Sequence, residues 1–224
     1  DHKTVASGRH AGQGPLASAH RPARGLIAAA PYCTLPRPTR STMAMQTEIR
    51  PALASDLDTI ATLHTESWRH AYRGLLPDAI LDQDLLGSRL RLWTPRLAGA
   101  DVGRHTLLAI HQGEAAGFVS LQLDADPVHG HLIDNLHVRR DLHGQGLGRR
   151  LLHAVAAIAH AAAPARPLYL FVLDGNFRAA RFYEALGARF VESLWDDHVP
   201  GMRILDHRYR WRDAASLLTR TRSA

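Results

Sequence analysis

One cysteine, one lysine and no long apolar run limit what this 224-residue chain can be. The single cysteine, Cys33, excludes an intrachain disulfide framework and fits a reducing compartment. It precedes the regular part of the sequence, which sets a catalytic thiol aside. Lysine and arginine together number 27, and all but Lys3 are arginine. A lysine Schiff base or a Walker-loop lysine is therefore excluded from everything after residue 3. No apolar stretch reaches the ~20 residues of a membrane span. Leu26–Ala30 is too short even for a secretory h-region, and Leu151–Ala163, interrupted by His153 and His160, reads as a core-facing helix.

Acid is scarce in one place only. Residues 1–44 hold six basic residues against Asp1, whereas the other 180 residues hold 21 basic and 20 acidic ones. The formal charge of +6 thus belongs mainly to the leader, and the rest is nearly neutral. That argues against a uniformly basic nucleic-acid-binding surface. Residues 1–44 also lack apolar periodicity, and Met43 and Met45 stand just ahead of the first strand-like run. They are expected to be a disordered or wrongly extended leader, with an Arg-rich organellar transit peptide as the second reading.

From Thr47 the pattern is regular. Thr47–Pro51 predicts a strand, followed by a helix from Asp56 toward Trp68 and Tyr72 with Ser55 or Asp56 as N-cap. A second helical region covers about Asp78–Leu97. Thr106–His111 and Gly117–Leu123 predict a hairpin, Asp124–Gly130 a loop and His131–Val138 a strand. A glycine loop leads into a helix ending near Ala163. The strand Leu168–Leu173, the helix Phe177–Leu186 and the strand pair Ala188–Trp195 and Met202–Trp211 complete a mixed α/β domain. No internal repeat is present.

The glycine loop runs from Leu136 to Leu152, with Gly144, Gly146 and Gly148 between a strand and a helix. Such a turn aims free backbone N–H groups at one point, at the positive end of a helix dipole, and suits a pyrophosphate. Arg149 and Arg150 are expected to add charge nearby. A Rossmann dinucleotide site stays open, although the Gly-x-Gly-x-Gly spacing and Asp174, 26 residues beyond Gly148, fit it poorly.

Downstream, Asn176, Ala179, Phe182, Tyr183 and Gly187 meet the pattern Asn-x-x-Ala-x-x-Phe-Tyr-x-x-x-Gly, with Phe190 close behind. With the loop, this block resembles the GNAT (GCN5-related N-acetyltransferase) superfamily, whose phosphate loop is usually written Arg/Gln-x-x-Gly-x-Gly/Ala. Residues 49–57 and 66–77 also resemble common members, and the likeness covers about 48–212. His143 departs from the usual Arg or Gln. The implied fold is a mixed, mostly antiparallel sheet of six to seven strands, splayed in the middle and flanked by about four helices. The domain would span 46–212, with 213–224 as a C-terminal tail.

The resemblance implies acetyl-CoA as co-substrate and no metal. The backbone of Leu136, His137 and Val138 would pair with the pantetheine arm like an added strand. The N–H groups of His143, Gly144, Gln145, Gly146, Leu147, Gly148 and Arg149 would hold the pyrophosphate. Asn176 and Phe182 would contact the arm, and Tyr183 would stand near the sulfur, able to protonate the departing thiolate. The Leu136 N–H, or a neighbour, is the candidate oxyanion donor. Asp134 is a candidate base, with Asn135 facing the other way on an alternating strand.

The acceptor would be a small-molecule or peptide amine, met by Trp68, Arg69 and Tyr72 or by Trp195, Asp196, Asp197 and His198. His129 and His131 share a strand face but lack further metal ligands. A cytoplasmic protein with no nucleic-acid or membrane partner is expected, and a homodimer stays open. A non-catalytic acyl-CoA sensor is the competing function.

Overall fold

The computed structural model describes residues 47–99, 101–199 and 202–222, and side chains 198 and 199 are not among those described. The leader and Cys33 lie outside the described residues.

Seven strands form one sheet in the order β1-β2-β3-β4-β5-β7-β6. They are β1 (Thr47–Pro51), β2 (Arg104–His111), β3 (Glu114–Asp126), β4 (Gly130–Val138), β5 (Leu168–Leu173), β6 (Arg189–Val199) and β7 (Met202–Trp211). All neighbours are antiparallel except β4 and β5. The described residues form six α-helices: α1 (Leu57–Ala71), α2 (Asp78–Asp82), α3 (Leu85–Leu97), α4 (Leu147–Ala162), α5 (Phe177–Ala185) and α6 (Ala214–Thr221).

Each sheet face is covered by helices whose apolar spacing fits it. On α4, Leu151, Leu152, Val155, Ala156 and Ala159 recur on one face and are fully buried. They pack with Val119, Leu121, Ile133 and Leu170 of the sheet. On the other face, Ile60, Ala61 and Leu63 of α1 meet Trp93 of α3 and Leu108 and Phe118 of the sheet. A third cluster joins Leu76, Leu81 and Ile204 to Trp68, Tyr72 and Leu173, tying the end of α1 to β5 and β7.

Several expectations are corrected. The helical region 78–97 is two helices, broken at Gln83 and Asp84, where the Asp84 carboxylate accepts the Gly87 N–H and starts α3. Asp56 stands at the α1 N-cap position, but its carboxylate turns back to Arg50 and the Leu53 N–H instead of capping the helix. Strand β3 continues through Asp126, so the 124–130 loop shrinks to the β3–β4 turn. The segment 213–224 is not only a tail. Asp213 caps α6 through the Ser216 N–H, and the fully buried Ala214 and Leu217 join the α4 core. Tertiary docking stabilises this helix, which is too short to announce itself by periodicity. These two additions raise the helix count from four to six.

Candidate functional site

The site begins where the sheet comes apart. Strands β4 and β5 pair only at His131↔Leu168 and Leu132↔Tyr169, near their N-terminal ends. Beyond that the edge of β4 is open. Arg139 donates its N–H to the Ala116 carbonyl across from β3. Backbone groups on an antiparallel strand alternate in direction. His137, opposite Phe118, therefore turns its backbone to β3, while Leu136 and Val138 turn theirs to the gap. Of the three residues expected to pair with a ligand arm, only these two can offer main-chain groups. The Val138 carbonyl already accepts the His143 Nε2–H at 2.8 Å.

The glycine loop closes the same end of β4. Gly144 and Gly146 have φ of +81° and +79°, and open space surrounds the place of a Cβ at each. Gly146 is the N-cap of α4, and no side chain caps the helix. The first N–H groups of α4, at Leu147, Gly148 and Arg149, thus lack intrahelical partners. Phe182 lies under Gly148, its ring 3.4 Å from where a Cβ would stand.

The charge around this loop differs from expectation. The Arg149 guanidinium donates to the Arg220 and Arg222 carbonyls at the end of α6, and Arg150 donates to the Thr47 carbonyl on β1. Both side chains are turned away. His143 Nδ1 accepts from Arg178 of α5 at 3.0 Å. Burial lowers the His70 pKa first, and Arg140, His143 and Arg178 lower it further. A cleft of about 470 Å³ is lined by Ser67, His70, Val138, Arg140 and His143 among others. Long arginines four or more bonds from the backbone are not placed by sequence spacing.

Asn176 caps α5, its Oδ1 accepting the Ala179 N–H at 3.2 Å. Tyr183 packs between Phe182 and Trp211, with centroids at 5.2 and 6.1 Å. Burial raises the Tyr183 phenol above its ordinary value, and nearby Tyr72 raises it further, so it stays protonated at neutral pH. Tyr72 itself is pushed up to about 12, by burial and then by Asp206, against a lowering by Arg89.

Asp134 stands on a β-bulge. Ser120 pairs with Asn135 while Leu121 pairs with Ile133, leaving Asp134 as the extra residue. Ile133 and Leu136, three apart, therefore both face the α4 core. Asp134 and Asn135 both turn toward α1 and α3, contrary to the alternation expected of a regular strand. Asp134 Oδ2 accepts from Arg96 at 2.7 Å and from Arg104 at 2.9 Å. Two guanidiniums thus converge on one oxygen of the residue expected as candidate base.

On the α1–α3 side His64, Trp93 and Phe118, which the sequence did not single out as site residues, form an aromatic box with Trp68 and His137, and the His64 and His137 centroids are 4.6 Å apart. His137 bonds Ser67 Oγ through Nδ1 at 2.8 Å. Burial, then Arg89, lowers the His137 pKa to about 3. His64 is also shifted well below its usual range, by burial and then by His137 and Arg89. Both are neutral at pH 7. Arg89 lies over the Trp68 ring at 4.2 Å.

Of the other acceptor candidates, Arg69 donates to the Leu81 carbonyl and braces α2. Trp195 is exposed on β6, and Asp197 pairs there with Arg203. The His198 side chain lies outside the described residues. His131 Nδ1 accepts the Asp124 N–H. Among the described residues, no group of three His, Cys, Asp or Glu is placed to hold a metal ion. No described helix is long and apolar enough to cross a membrane.

Comparison with known proteins identifies the family and the fold. The model of the acetyltransferase (GNAT) family matches residues 57–188. The PaiA N-acetyltransferase of Thermoplasma acidophilum, solved with coenzyme A, aligns at a TM-score of 0.61 and 18% identity, over 73% of this chain and 98% of that one. A GCN5-related N-acetyltransferase from Rhodopseudomonas palustris aligns at 0.59 and 21%, over 75% and 97%. Arabidopsis thaliana NAA60, solved with a bisubstrate analogue, aligns at 0.56 and 19%, over 74% and 97%. At these identities the solved structures share the fold.

Proposed function

The chain belongs to the GNAT family of acetyltransferases, and we propose from that premise that it moves an acetyl group from acetyl-CoA to a primary amine within a ternary complex. The observation that carries this is the open edge of β4 leading directly to an uncapped, glycine-led helix N-terminus. The main chain at Leu136 and Val138 would hold the pantetheine arm, and the N–H groups of residues 143–149 the pyrophosphate. Arg140 and Arg178 supply the positive charge first assigned to Arg149 and Arg150.

The neutral amine nitrogen attacks the thioester carbon, forming the C–N bond and an oxyanion that the Leu136 N–H stabilises. Collapse breaks the C–S bond. The thiolate takes a proton from Tyr183, and the ammonium proton passes to water and through it back to the Tyr183 oxygen, leaving an amide and free CoA. Asp134 holds the bulge that aims the Leu136 backbone. Holding both substrates together removes the entropic cost of their encounter at the reacting geometry. The single cysteine favours a reducing, cytoplasmic setting.

One observation supports a second function. With Asp134 engaged by two guanidiniums, no described carboxylate is assigned as base, as suits an acyl-CoA sensor without turnover. Incubation with acetyl-CoA and an amine panel, following free thiol, separates the two. Thiol release that depends on amine, and a loss of about 10²-fold in kcat for Tyr183→Phe, is the expected result. Tight acetyl-CoA binding with no release for any amine is the result that establishes the sensor.

A further inference from the structure

Arg89 of α3 is a half-buried cation against Trp68, one of the residues expected to meet the acceptor, and it has no counter-charge. Among the described residues, no carboxylate lies within ion-pair reach of it. The neighbouring Arg96 and Arg104 converge instead on Asp134. Arg89 Nε is buried with no partner, and Nη2 reaches only Ser88 Oγ, at 3.4 Å. Nη1 points at His64 Nε2, also at 3.4 Å.

That last contact is not a satisfying hydrogen bond. The Trp93 indole N–H can only donate, and it donates to His64 Nδ1 at 2.9 Å. A neutral imidazole has one accepting nitrogen, so Nε2 carries the proton and meets Arg89 as a second donor. Two donors 3.4 Å apart define the place of one acceptor oxygen that both can reach. The guanidinium carbon also lies 4.2 Å from the centre of the Trp68 ring, a cation–π contact that holds it in place. Burial lowers the Arg89 pKa only to about 10, so it is cationic at neutral pH.

A desolvated charge is costly to keep unless something pairs with it. We infer that Arg89 anchors the carboxylate of the acceptor, so that the substrate is a small amine carrying one carboxylate, of the amino-acid class. This rests on the acetyl-transfer reading of the same site. The charge count selects carboxylate over phosphate: one guanidinium is available, Arg96 being neutralised by Asp134. Arg89 and Tyr72 share one partner: Trp68 carries the guanidinium over its face and meets the Tyr72 ring edge-on at 5.0 Å.

The test is a set of matched acceptors, α- and ω-amino acids beside their carboxamides, assayed with acetyl-CoA by thiol release. For the wild type, kcat/KM for the best acid exceeds that for its amide by about tenfold or more, the scale of a charge-assisted hydrogen bond. Arg89→Met brings that ratio close to one, mainly through the KM of the acid, and Arg89→Lys recovers part of it. Methionine replaces an unpaired charge with an apolar chain of similar reach, so the fold is retained. Equal use of acid and amide by the wild type, or a ratio that survives Arg89→Met, overturns the inference. Should no amine be acetylated, the acetyl-transfer reading fails separately, and calorimetric titration with N-acetyl amino acids and their amides decides on the anchor. Binding of the acids alone, lost in Arg89→Met, supports it; equal binding of both, or none of the acids, overturns it.

Discussion

Gly146→Ala separates the conformational role of the loop from its ligand role. Gly146 sits at φ +79° with nothing within 4 Å of where a Cβ would stand, so alanine meets strain but no clash. Left-handed backbone costs an L-residue roughly 1–2 kcal/mol, partly offset by the lower entropy of the unfolded alanine chain. The net loss of about 1 kcal/mol lowers Tm by roughly 2–4 °C for a domain of this size. Gly113 is the matched control. It lies in the β2–β3 turn at φ +82°, equally open, and far along the chain from the loop. Gly113→Ala should lose the same few degrees. Only Gly146→Ala should also weaken acetyl-CoA, because the methyl group enters the space before the α4 N–H groups. Losing one or two of those hydrogen bonds to pyrophosphate raises KM about tenfold or more. Thermal melts with and without CoA and thiol-release kinetics on both variants give the answer. Equal KM values for Gly146→Ala, Gly113→Ala and wild type would refute the phosphate cradle.

Leu217→Ala tests whether α6 belongs to the domain: Leu217 is fully buried against α4, so the cost is about 3 kcal/mol, and an unchanged Tm would return 213–222 to the status of a tail. Asp134→Asn leaves Arg96 and Arg104 around a neutral amide, with an expected loss of about 1–3 kcal/mol in denaturant titrations and kcat within a few-fold of wild type; a 10²-fold fall in kcat at unchanged stability would restore its role as base. His137 titrates near 3 when folded and near 6.5 when unfolded, so protons bind the unfolded chain more tightly between those values. Its contribution is whole above about pH 6.5 and is lost as pH falls, by roughly 2 kcal/mol at pH 5. The stability of His137→Gln should therefore fall less steeply from pH 7 to 5, and parallel curves would contradict the burial of a neutral imidazole.

The parts of this protein legible in its sequence are those that local chemistry writes down. Closely spaced glycines between a strand and an apolar helix predict the loop, and the Asn176-to-Gly187 block predicts α5 and its neighbours. What escaped depends on contacts between distant segments. The single extra residue at Asp134 reverses which face Asn135 takes, and period-two alternation carries no mark of a bulge. Arg149 and Arg150 stand beside the loop in sequence, yet their guanidiniums end on α6 and β1. Arg89 and Trp68 lie 21 positions apart, and only the packing of α3 on α1 stacks them.

The two halves of the cleft are consequently built from different materials. The side proposed for CoA relies on backbone: the open β4 edge at Leu136 and Val138, and the first N–H groups of α4. Backbone groups survive most substitutions, so this half tolerates sequence change wherever the strand, the positive-φ glycines and the bulge persist. The side proposed for the acceptor relies on side chains from α3 and the end of α1, namely Trp68, Tyr72 and Arg89. Any of these can be replaced without moving the β4 edge. His137 links the halves, since its backbone belongs to the β3–β4 ladder while its ring packs on His64 and Ser67. A substitution there should disturb both substrates at once, whereas one at Arg89 should disturb only the acceptor. That difference in KM pattern follows from which atoms do the holding.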